Sequence, residues 1–510
     1  MMMYAQKKRY WGVLLHPSSL PGPWGIGDLG PEARSFADFL EKASVNLWQI
    51  LPLGPTGYGN SPYAARSSFA GNELLLSPEI LLQEGWLREG ECTPLRALPS
   101  SRVDYGALEK QKLPLLLLAA ERRLGRSGGG EDFRSFCEEE AVWLEDYALF
   151  MVIYEEYRDA RWFLWDRDLA ERKPAALEGV RREKAQRILQ WKMLQFFFKK
   201  QWESFREYVN ARGIRIIGDV PIFVAPDSVD TWSNIGLFQL NAAGRYRVVS
   251  GVPPDYFSAT GQLWGNPVYD WKIMKQDDYR WWKSRIRGLL GQADIFRIDH
   301  FRGFDEYWAV PAENTTAEQG IWEPGPGEDF FRSLRAEFGE LPIIAEDLGF
   351  LTGSVVRLRE ASGFPGMKVC QFGFEDMKEG KLDTHHLFLP HNYDYHCVAY
   401  SGTHDNDTVA GWFNALGEAD KRTVCAYFND DGKNIPWAMI RAVTASAAEY
   451  ALFPMQDILG LGSECRMNIP STCGNHNWSW RLGAIPPPAL AEKLGSLIFL
   501  YSRDGKVPAP

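Results

Sequence analysis

Short apolar segments recur along the chain, and stretches with helical periodicity separate them. They span residues 11–16, 47–54, 214–220, 294–300, 341–349, 367–374, 398–405 and, as a weaker eighth, 451–460. Apolar runs that alternate with helices are typical of parallel strands covered on both faces. About eight such strands predict an α/β protein with a (β/α)₈ TIM barrel rather than an open doubly wound sheet.

The gaps between these segments predict where the barrel carries insertions. We interpret residues 1–510 as a single barrel, with a helical insertion subdomain at 74–213 and a smaller insertion at 301–340. Within the first insertion, residues 180–210 show apolar side chains every three or four positions, which predicts a helix covering the barrel. Too few residues follow position 483 for a C-terminal β-sandwich, so we expect none.

Composition and charge exclude several classes of protein. With 56 Lys and Arg against 66 Asp and Glu, the net charge is −10, which argues against nucleic-acid binding because a phosphate footprint needs a basic surface. The longest strongly apolar run, at 113–120, is far shorter than the roughly 20 residues of a membrane helix. The first residues show no apolar signal-peptide core, so we expect a cytoplasmic protein without membrane contact.

Four carboxylates stand at or just past the ends of predicted strands. They are Asp219, Asp299, Glu346 and Asp405. Any one of them fits a helix cap or a loop contact, but four at equivalent positions favour one shared site, because the strand ends of a barrel converge at a single mouth. Strand alternation places Arg297 on the same face as Asp299. An ionised carboxylate beside an acid with a raised pKa is the pair that glycoside chemistry uses.

Several longer segments make the family resemblance specific. They include LLHPSSLPGPWGIGDLG, LWQILPLGPTGYGNSPY, GVPPDYFSATGQLWGNPVYDW, FRIDHFRGF, IIAEDLG, HNYDYHCVAYSGTHDNDTVAGW and NWSWRL. From about Trp11 to Leu482, the chain resembles the 4-α-glucanotransferases of the amylomaltase (disproportionating enzyme) type, which are related to the α-amylase clan. One departure is Pro470-Ser471, where the family commonly has Pro-Gly.

The resemblance implies a role for each matching residue. Asp299 is expected to be the nucleophile, Glu346 the general acid and then base, and Asp405 the group that stabilises the distorted sugar and its transition state. The implied substrate-binding residues are Tyr63, Asp219, Tyr256, Phe257, Trp264, Arg297, His300, His404 and Asn477. Among these, Arg297 is expected to orient Asp299, Tyr63 to stack beneath the sugar at the reaction centre, and Trp264 to lie on the acceptor side.

The implied reaction transfers an α-1,4-glucan segment from a donor to the 4-hydroxyl of an acceptor glucan or glucose. It proceeds through a covalent glucosyl ester and retains configuration, which predicts that the Asp299 and Glu346 carboxyl groups lie about 5–5.5 Å apart. An acid and a nucleophile suffice for such chemistry, so we expect neither a cofactor nor a metal.

Three other interpretations share parts of this pattern. The same site would serve a hydrolase of the amylase kind, although the Pro253-Pro254 loop favours transfer. A catalytically silent glucan-binding protein would use the aromatic side chains alone, but the intact carboxylates argue against it. A metal enzyme is less favoured, because the sequence has no HExxH and Asp405-Asn406-Asp407 does not continue as a calcium loop.

The loop at 252–257 generates the first prediction. Two prolines stiffen it, and Tyr256 and Phe257 are expected to cover the acceptor site and exclude water. Changing both aromatic residues to Ala should therefore raise the ratio of hydrolysis to transfer, measured as reducing ends released per glucan transferred. An unchanged ratio would contradict this role for the loop.

Overall fold

The computed structural model describes residues 7–126, 128–254, 258–349 and 351–506. Within these ranges the strands are β1 Tyr10–Leu14, β2 Leu47–Gln49, β3 Arg215–Pro221, β4 Val248–Val252, β5 Gln262–Pro267, β6 Ile295–Asp299, β7 Glu306–Pro311, β8 Ile321–Pro324, β9 Ile343–Ala345, β10 Gly366–Val369, β11 Cys397–Tyr400 and β12 Tyr450–Pro454. The eight apolar segments of the sequence each contain one of the strands β1, β2, β3, β6, β9, β10, β11 and β12.

These eight strands form one parallel sheet in the order β10-β11-β12-β1-β2-β3-β6-β9. Its two outer strands lie side by side, since the Ala345 N–H donates to the Pro365 carbonyl at 3.0 Å. The Asp347 carboxylate accepts from the Met367 N–H at 2.7 Å across the same gap. The sheet is therefore a nearly closed barrel, and the predicted (β/α)₈ fold is confirmed.

Apolar side chains from the barrel strands fill its interior. A buried cluster contains Leu47, Ile217, Ile295, Ile344, Met367, Val369, Val398, Tyr400 and Leu452. Burying such side chains contributes about 1.5–3 kcal/mol each relative to leaving them in water. The barrel is thus a packed core, which leaves its carboxyl-end rim as the place for polar side chains.

The helices surround the barrel and fill the long connection between β2 and β3. They are α1 Pro31–Lys42, α2 Pro78–Gln83, α3 Glu89–Cys92, α4 Tyr105–Gly125, α5 Glu131–Glu139, α6 Ala141–Tyr157, α7 Arg167–Ala170, α8 Pro174–Glu183, α9 Ala185–Asn210, α10 Val229–Ser233, α11 Trp271–Gln276, α12 Arg280–Gln292, α13 Gly327–Phe338, α14 Gly353–Ser362, α15 Val409–Ala415, α16 Glu418–Phe428, α17 Ile435–Ala445, α18 Met455–Leu459 and α19 Pro488–Leu500. Helices α2 to α9 lie within the 74–213 stretch that the sequence interprets as an insertion.

The helix predicted at 180–210 is observed as α9, which begins at Ala185 because α8 ends two residues earlier. The periodic side chains of the prediction are buried along α9. Phe205 packs edge-on against Trp48 of β2, with ring centroids 5.5 Å apart. This contact lays α9 against the barrel, as the periodicity predicts.

A second sheet, which the sequence analysis did not foresee, stands beside the barrel mouth. Strands β5-β4-β7-β8 pair in that order, and every pairing is antiparallel. Strands β7 and β8 come from the 301–340 stretch, whereas β4 and β5 flank the 252–257 loop. The sheet therefore joins two loops of the barrel mouth into one layer.

Past β12, the described chain continues as helices and turns without another strand, so no C-terminal β-sandwich is present there. None of the described helices has the length and hydropathy of a bilayer span.

Gly12 of β1 lies between two neighbouring strands, where there is no room for a larger residue. It pairs with Leu47 on one side and Leu452 on the other, and a Cβ there would lie 2.3 Å from Leu452 Cδ2 and 2.6 Å from Leu47 Cβ. Gly12→Ala should destabilise the protein by about 1–3 kcal/mol through overpacking.

The matched control is Gly179→Ala in α8, where a Cβ meets no atom within 4 Å. It should be neutral or stabilising by up to about 1 kcal/mol, because Ala favours helix. Equal melting temperatures for the two variants would contradict this packing.

Candidate active site

The four carboxylates of the sequence analysis lie along one rim of the barrel. Asp219 belongs to β3 and Asp299 ends β6, while Glu346 directly follows β9. The strand register places these acids near the same end of the barrel, because Pro221 pairs with Asp299 and Ile298 pairs with Ala345. Asp405 lies in the loop between β11 and α15. The carboxyl ends of parallel strands thus place these acids at the mouth, where the sequence predicts them.

Arg297 connects two of these acids. Its Nε–H donates to Asp219 Oδ2 at 2.9 Å, and its Nη2 donates to Asp299 Oδ1 at 2.8 Å. The Arg297 and Asp219 side chains are buried, whereas the Asp299 side chain is 34% exposed. Burial by itself lowers the pKa of Arg297, but the surrounding acids, Asp219 first, raise that pKa well above its usual value. A permanent cation therefore sits between the two carboxylates and offsets part of their negative charge.

Glu346 has a different environment. Its Oε2 accepts from the His300 N–H at 2.7 Å and its Oε1 accepts from the Leu348 N–H at 2.8 Å. Burial, followed by the negative charge of Asp299, raises the pKa of Glu346 to about 8, although Arg297 and the two backbone donors oppose the shift. Glu346 consequently keeps a proton at neutral pH beside a carboxylate that is paired with arginine.

His300 lies between the strand end of β6 and the second sheet. Its backbone is left-handed, with φ of 52°, and its Nε2 has no hydrogen-bond partner among the described residues. Burial lowers the pKa of His300 to about 4, so the imidazole is neutral. The half-exposed ring of Trp264 stands edge-on to it, with centroids 4.7 Å apart. The pair thus combines a buried imidazole nitrogen that has no partner among the described residues with a partly exposed aromatic ring.

Aromatic rings form the opposite wall. Tyr63 stacks on His404 with ring centroids 5.0 Å apart and an interplanar angle of 14°. The ring of Trp478 is tilted against both of them, with its centroid 5.8 Å from each. The Tyr63 hydroxyl donates to Asp219 Oδ2 at 2.7 Å. The wall is thus fixed to the arginine network at one end, and its apolar faces suit the C–H surface of a sugar ring.

Comparison with known proteins agrees with this geometry. A profile of the family described as 4-alpha-glucanotransferase matches residues 15–485. The chain belongs to the 4-alpha-glucanotransferase family. It is 47% identical to a 4-alpha-glucanotransferase from Synechocystis over 480 residues, covering 93% of this chain and 94% of the relative. A chloroplastic/amyloplastic 4-alpha-glucanotransferase from Solanum tuberosum is 43% identical over 508 residues, covering 97% and 87%.

The fold has a solved counterpart among the 4-alpha-glucanotransferases. The amylomaltase from Streptococcus agalactiae, solved in complex with acarbose, superposes with a TM-score of 0.92 at 37% sequence identity. The match covers 97% of this chain and 100% of that one. The family resemblance predicted from the sequence segments is therefore confirmed.

Asp405 is held from outside its own loop. Its Oδ1 accepts from Asn468 Nδ2 at 2.7 Å and lies 3.4 Å from His404 Nε2. The sequence analysis missed Asn468, and it also missed Arg466, whose Nη2 donates to the Asp405 carbonyl. Neither residue follows an apolar strand, so the strand-end signal that found the acids does not apply to them. Trp478 lies in the NWSWRL segment of the resemblance, but its contact with Tyr63 has no signal in the sequence.

Three other predicted substrate-binding residues have a different outcome. Asn477 is buried, and its side chain bonds within its own loop, accepting from the Ile469 N–H at 3.0 Å and donating to Thr472. Its direct contact with a sugar stays a prediction. Tyr256 and Phe257 lie outside the described residues, so their role over the acceptor site stays a prediction as well.

The departure from the family motif has a visible backbone consequence. Ser471 stands where the family commonly has Gly, and its φ is 61°, a conformation that costs a non-glycine residue about 1–2 kcal/mol. Ser471 is exposed to solvent. Over the described residues, no three His, Cys, Asp or Glu side chains converge in a way that would hold a metal ion.

The pairing of Asp299 with Glu346 leads to a titration prediction. In Asp299→Asn, the loss of the neighbouring negative charge should lower the pKa of Glu346 from about 8. The shift is measurable by NMR on ¹³C-carboxyl-labelled glutamate, with Glu346→Gln identifying the signal. Asp277→Asn, a matched change on the protein surface, should leave the titration unaltered. An unchanged pKa in Asp299→Asn would mean that burial alone causes the shift.

Proposed function

We propose that this protein is a retaining 4-alpha-glucanotransferase that moves α-1,4-glucan segments between glucan chains. Its donors would be maltooligosaccharides or glycogen- and starch-type polymers, and its acceptors would be glucans or glucose. Membership of the family, at high coverage of both chains, supports the reaction class. The contacts and burial of the site residues support their individual roles.

One observation carries the proposal. Two carboxyl groups at adjacent strand ends have different surroundings: Asp299 is paired with Arg297 at 2.8 Å, while burial raises the pKa of Glu346 to about 8. Glycoside transfer with retention needs this division, because one group attacks as an anion and the other must donate a proton.

In the first step, a carboxylate oxygen of Asp299 attacks the anomeric carbon of the donor sugar. The glycosidic C–O bond breaks as Glu346 transfers its proton to the departing oxygen, and the shortened glucan leaves with a free 4-hydroxyl. The product is a β-glucosyl ester on Asp299 and an ionised Glu346. Arg297 holds the carboxylate in position throughout.

In the second step, ionised Glu346 removes the proton from the 4-hydroxyl of an acceptor glucan, whose oxygen attacks the ester carbon. The bond to Asp299 breaks and Glu346 regains its proton. Two inversions restore the α configuration, and both groups return to their starting states. The spacing of about 5–5.5 Å between the carboxyl groups that this mechanism requires stays a prediction.

The remaining residues would bind the sugar at the reaction centre. Tyr63, fixed by Asp219 and stacked on His404, offers a flat surface beneath the ring. The unpartnered His300 Nε2 suits a sugar hydroxyl. Asp405, 46% exposed at its side chain, would grip ring hydroxyls and stabilise positive charge in the transition state. Trp264 would contact the acceptor.

Water competes with the acceptor for the same ester, so transfer requires a site that excludes water or binds the acceptor strongly. The chain enters the 252–257 loop from β4 and returns in β5 at Gln262, so the loop connects two strands of the second sheet. A cover over the acceptor site by this loop stays a prediction, and hydrolysis is the alternative outcome to test.

Incubation of the purified protein with maltotriose alone tests the proposal. We expect a ladder of longer maltodextrins plus glucose, with the total number of reducing ends unchanged. Glu346→Gln should reduce turnover by about 10²–10⁴-fold because the proton donor is lost, and Asp299→Asn should prevent ester formation. The matched control is Glu340→Gln, at an exposed glutamate, which should retain full activity. Rising reducing ends without longer products would indicate a hydrolase instead.

A further inference from the structure

The segment from Arg466 to Trp478, here called the late loop, holds Asp405 at two points. Asn468 Nδ2 donates to Asp405 Oδ1 at 2.7 Å, and the Asn468 N–H donates to the carbonyl of His404 at 3.1 Å. One asparagine therefore bonds to the carboxylate and also to the backbone that precedes it.

Arg466 braces this contact from behind. Its Nε–H donates to the Asn468 carbonyl at 2.7 Å, and its Nη2 donates to the Asp405 carbonyl. Both acceptors are neutral oxygens, so the guanidinium ties the two backbone segments together without pairing with the carboxylate itself. Arg466 also lines a small cavity together with His16, His404 and Asp457.

Hydrogen bonds tie the late loop together and attach it to the rest of the protein. Its ends are joined by a bond from the Trp478 N–H to the Met467 carbonyl at 2.8 Å, and Asn477 closes its interior through Ile469. Outside the loop, the Tyr105 hydroxyl donates to the Trp478 carbonyl at 3.0 Å. The loop is thereby attached to the helical insertion, independently of the β11–α15 connection that carries Asp405.

The chemistry of the donor suits this task. An aspartate on an exposed loop rotates freely about its side-chain bonds unless one oxygen is fixed, and no bond reaches Asp405 Oδ2 from the described residues. An amide N–H fixes Oδ1 while leaving the full negative charge on the group, whereas a cation in the same place would neutralise it. Orientation of this kind lowers the barrier by avoiding reorganisation during the reaction.

We propose that Asn468, braced by Arg466, is a positioning residue that fixes the Asp405 carboxylate so that its Oδ2 faces the sugar hydroxyls. This inference rests on the proposed function, in which Asp405 binds the sugar in the transition state. Asn468 acts only through Asp405, so its loss lowers kcat more than it raises KM for maltotriose.

The test uses the full-length protein, with kcat and KM for maltotriose measured from pH 5 to pH 8. Asn468→Ala should lower kcat by about 10- to 100-fold at every pH. Asn468→Asp should be impaired at pH 8, where two ionised carboxylates repel each other. As the pH falls, one proton shared between them restores an O–H donor to Asp405. The ratio of its kcat to that of the wild type should then rise, by at most about tenfold for each pH unit.

The other groups that face Asp405 are His404 at 3.4 Å, Arg466 behind its carbonyl and, farther off, the Tyr63 hydroxyl. They are present in every variant, and taking the ratio to wild type at each pH removes their common contribution. Asn314→Ala, at a partly buried asparagine whose side chain donates to the Gln319 carbonyl, is the matched control and should keep wild-type kinetics. Melting temperatures of all variants accompany the kinetics.

Asp405→Asn distinguishes the proposed role of Asp405 from the proposed positioning role of Asn468. If this variant keeps wild-type kcat, the proposed role of Asp405 is wrong. If it is impaired while both Asn468 variants match wild type, the function stands and the positioning inference is overturned. A loss in Asn468→Asp that is independent of pH, like that of Asn468→Ala, also overturns it, because a purely structural contact gives no recovery in acid.

Discussion

The buried ion network of Arg297 with Asp219 and Asp299 is the interaction on which the rest of the site depends. Parallel strands that end in carboxylates bring like charges together at one rim, and such charges either repel or lose their ionisation. Arg297 lies within 2.9 Å of both carboxylates, and its positive charge reduces the repulsion between them. Removing any member would leave a buried charge without its partner, which is far costlier than the net contribution of the intact network.

The same network separates the properties of the two central acids. Asp299 pairs directly with Arg297, whereas Glu346 accepts only backbone N–H groups, and burial and the negative charge of Asp299 outweigh the opposing charge of Arg297 and raise its pKa. Burial and the nearby negative charge therefore favour the protonated form of Glu346, while Arg297 pairs with the neighbouring Asp299. The division follows from strand register, since β6 places Arg297 and Asp299 on one face while β9 ends just before Glu346.

The opposite wall of the site is assembled from remote parts of the chain. Tyr63 follows β2, His404 follows β11 and Trp478 belongs to the late loop, yet their rings lie within 6 Å of one another. Barrel closure brings the first two together, because β11 and β2 are separated only by β12 and β1. The third arrives through the helical insertion, which holds the late loop by Tyr105. The helices between β2 and β3 thus support the mouth through Tyr105 and cover the barrel through α9.

The sequence by itself determined the eight strands and the acids at their ends, because strands buried on both faces must be continuously apolar and a charged residue that ends such a run is visible. It did not reveal the antiparallel sheet, whose strands at 262–267 and 321–324 are partly exposed and carry no apolar run. Only the tertiary structure decided which groups meet. Asn468 reaches Asp405 across 63 residues of chain, and the raised pKa of Glu346 depends on burial and on a charge from another strand. Both are properties of distances in space, which a linear pattern does not contain.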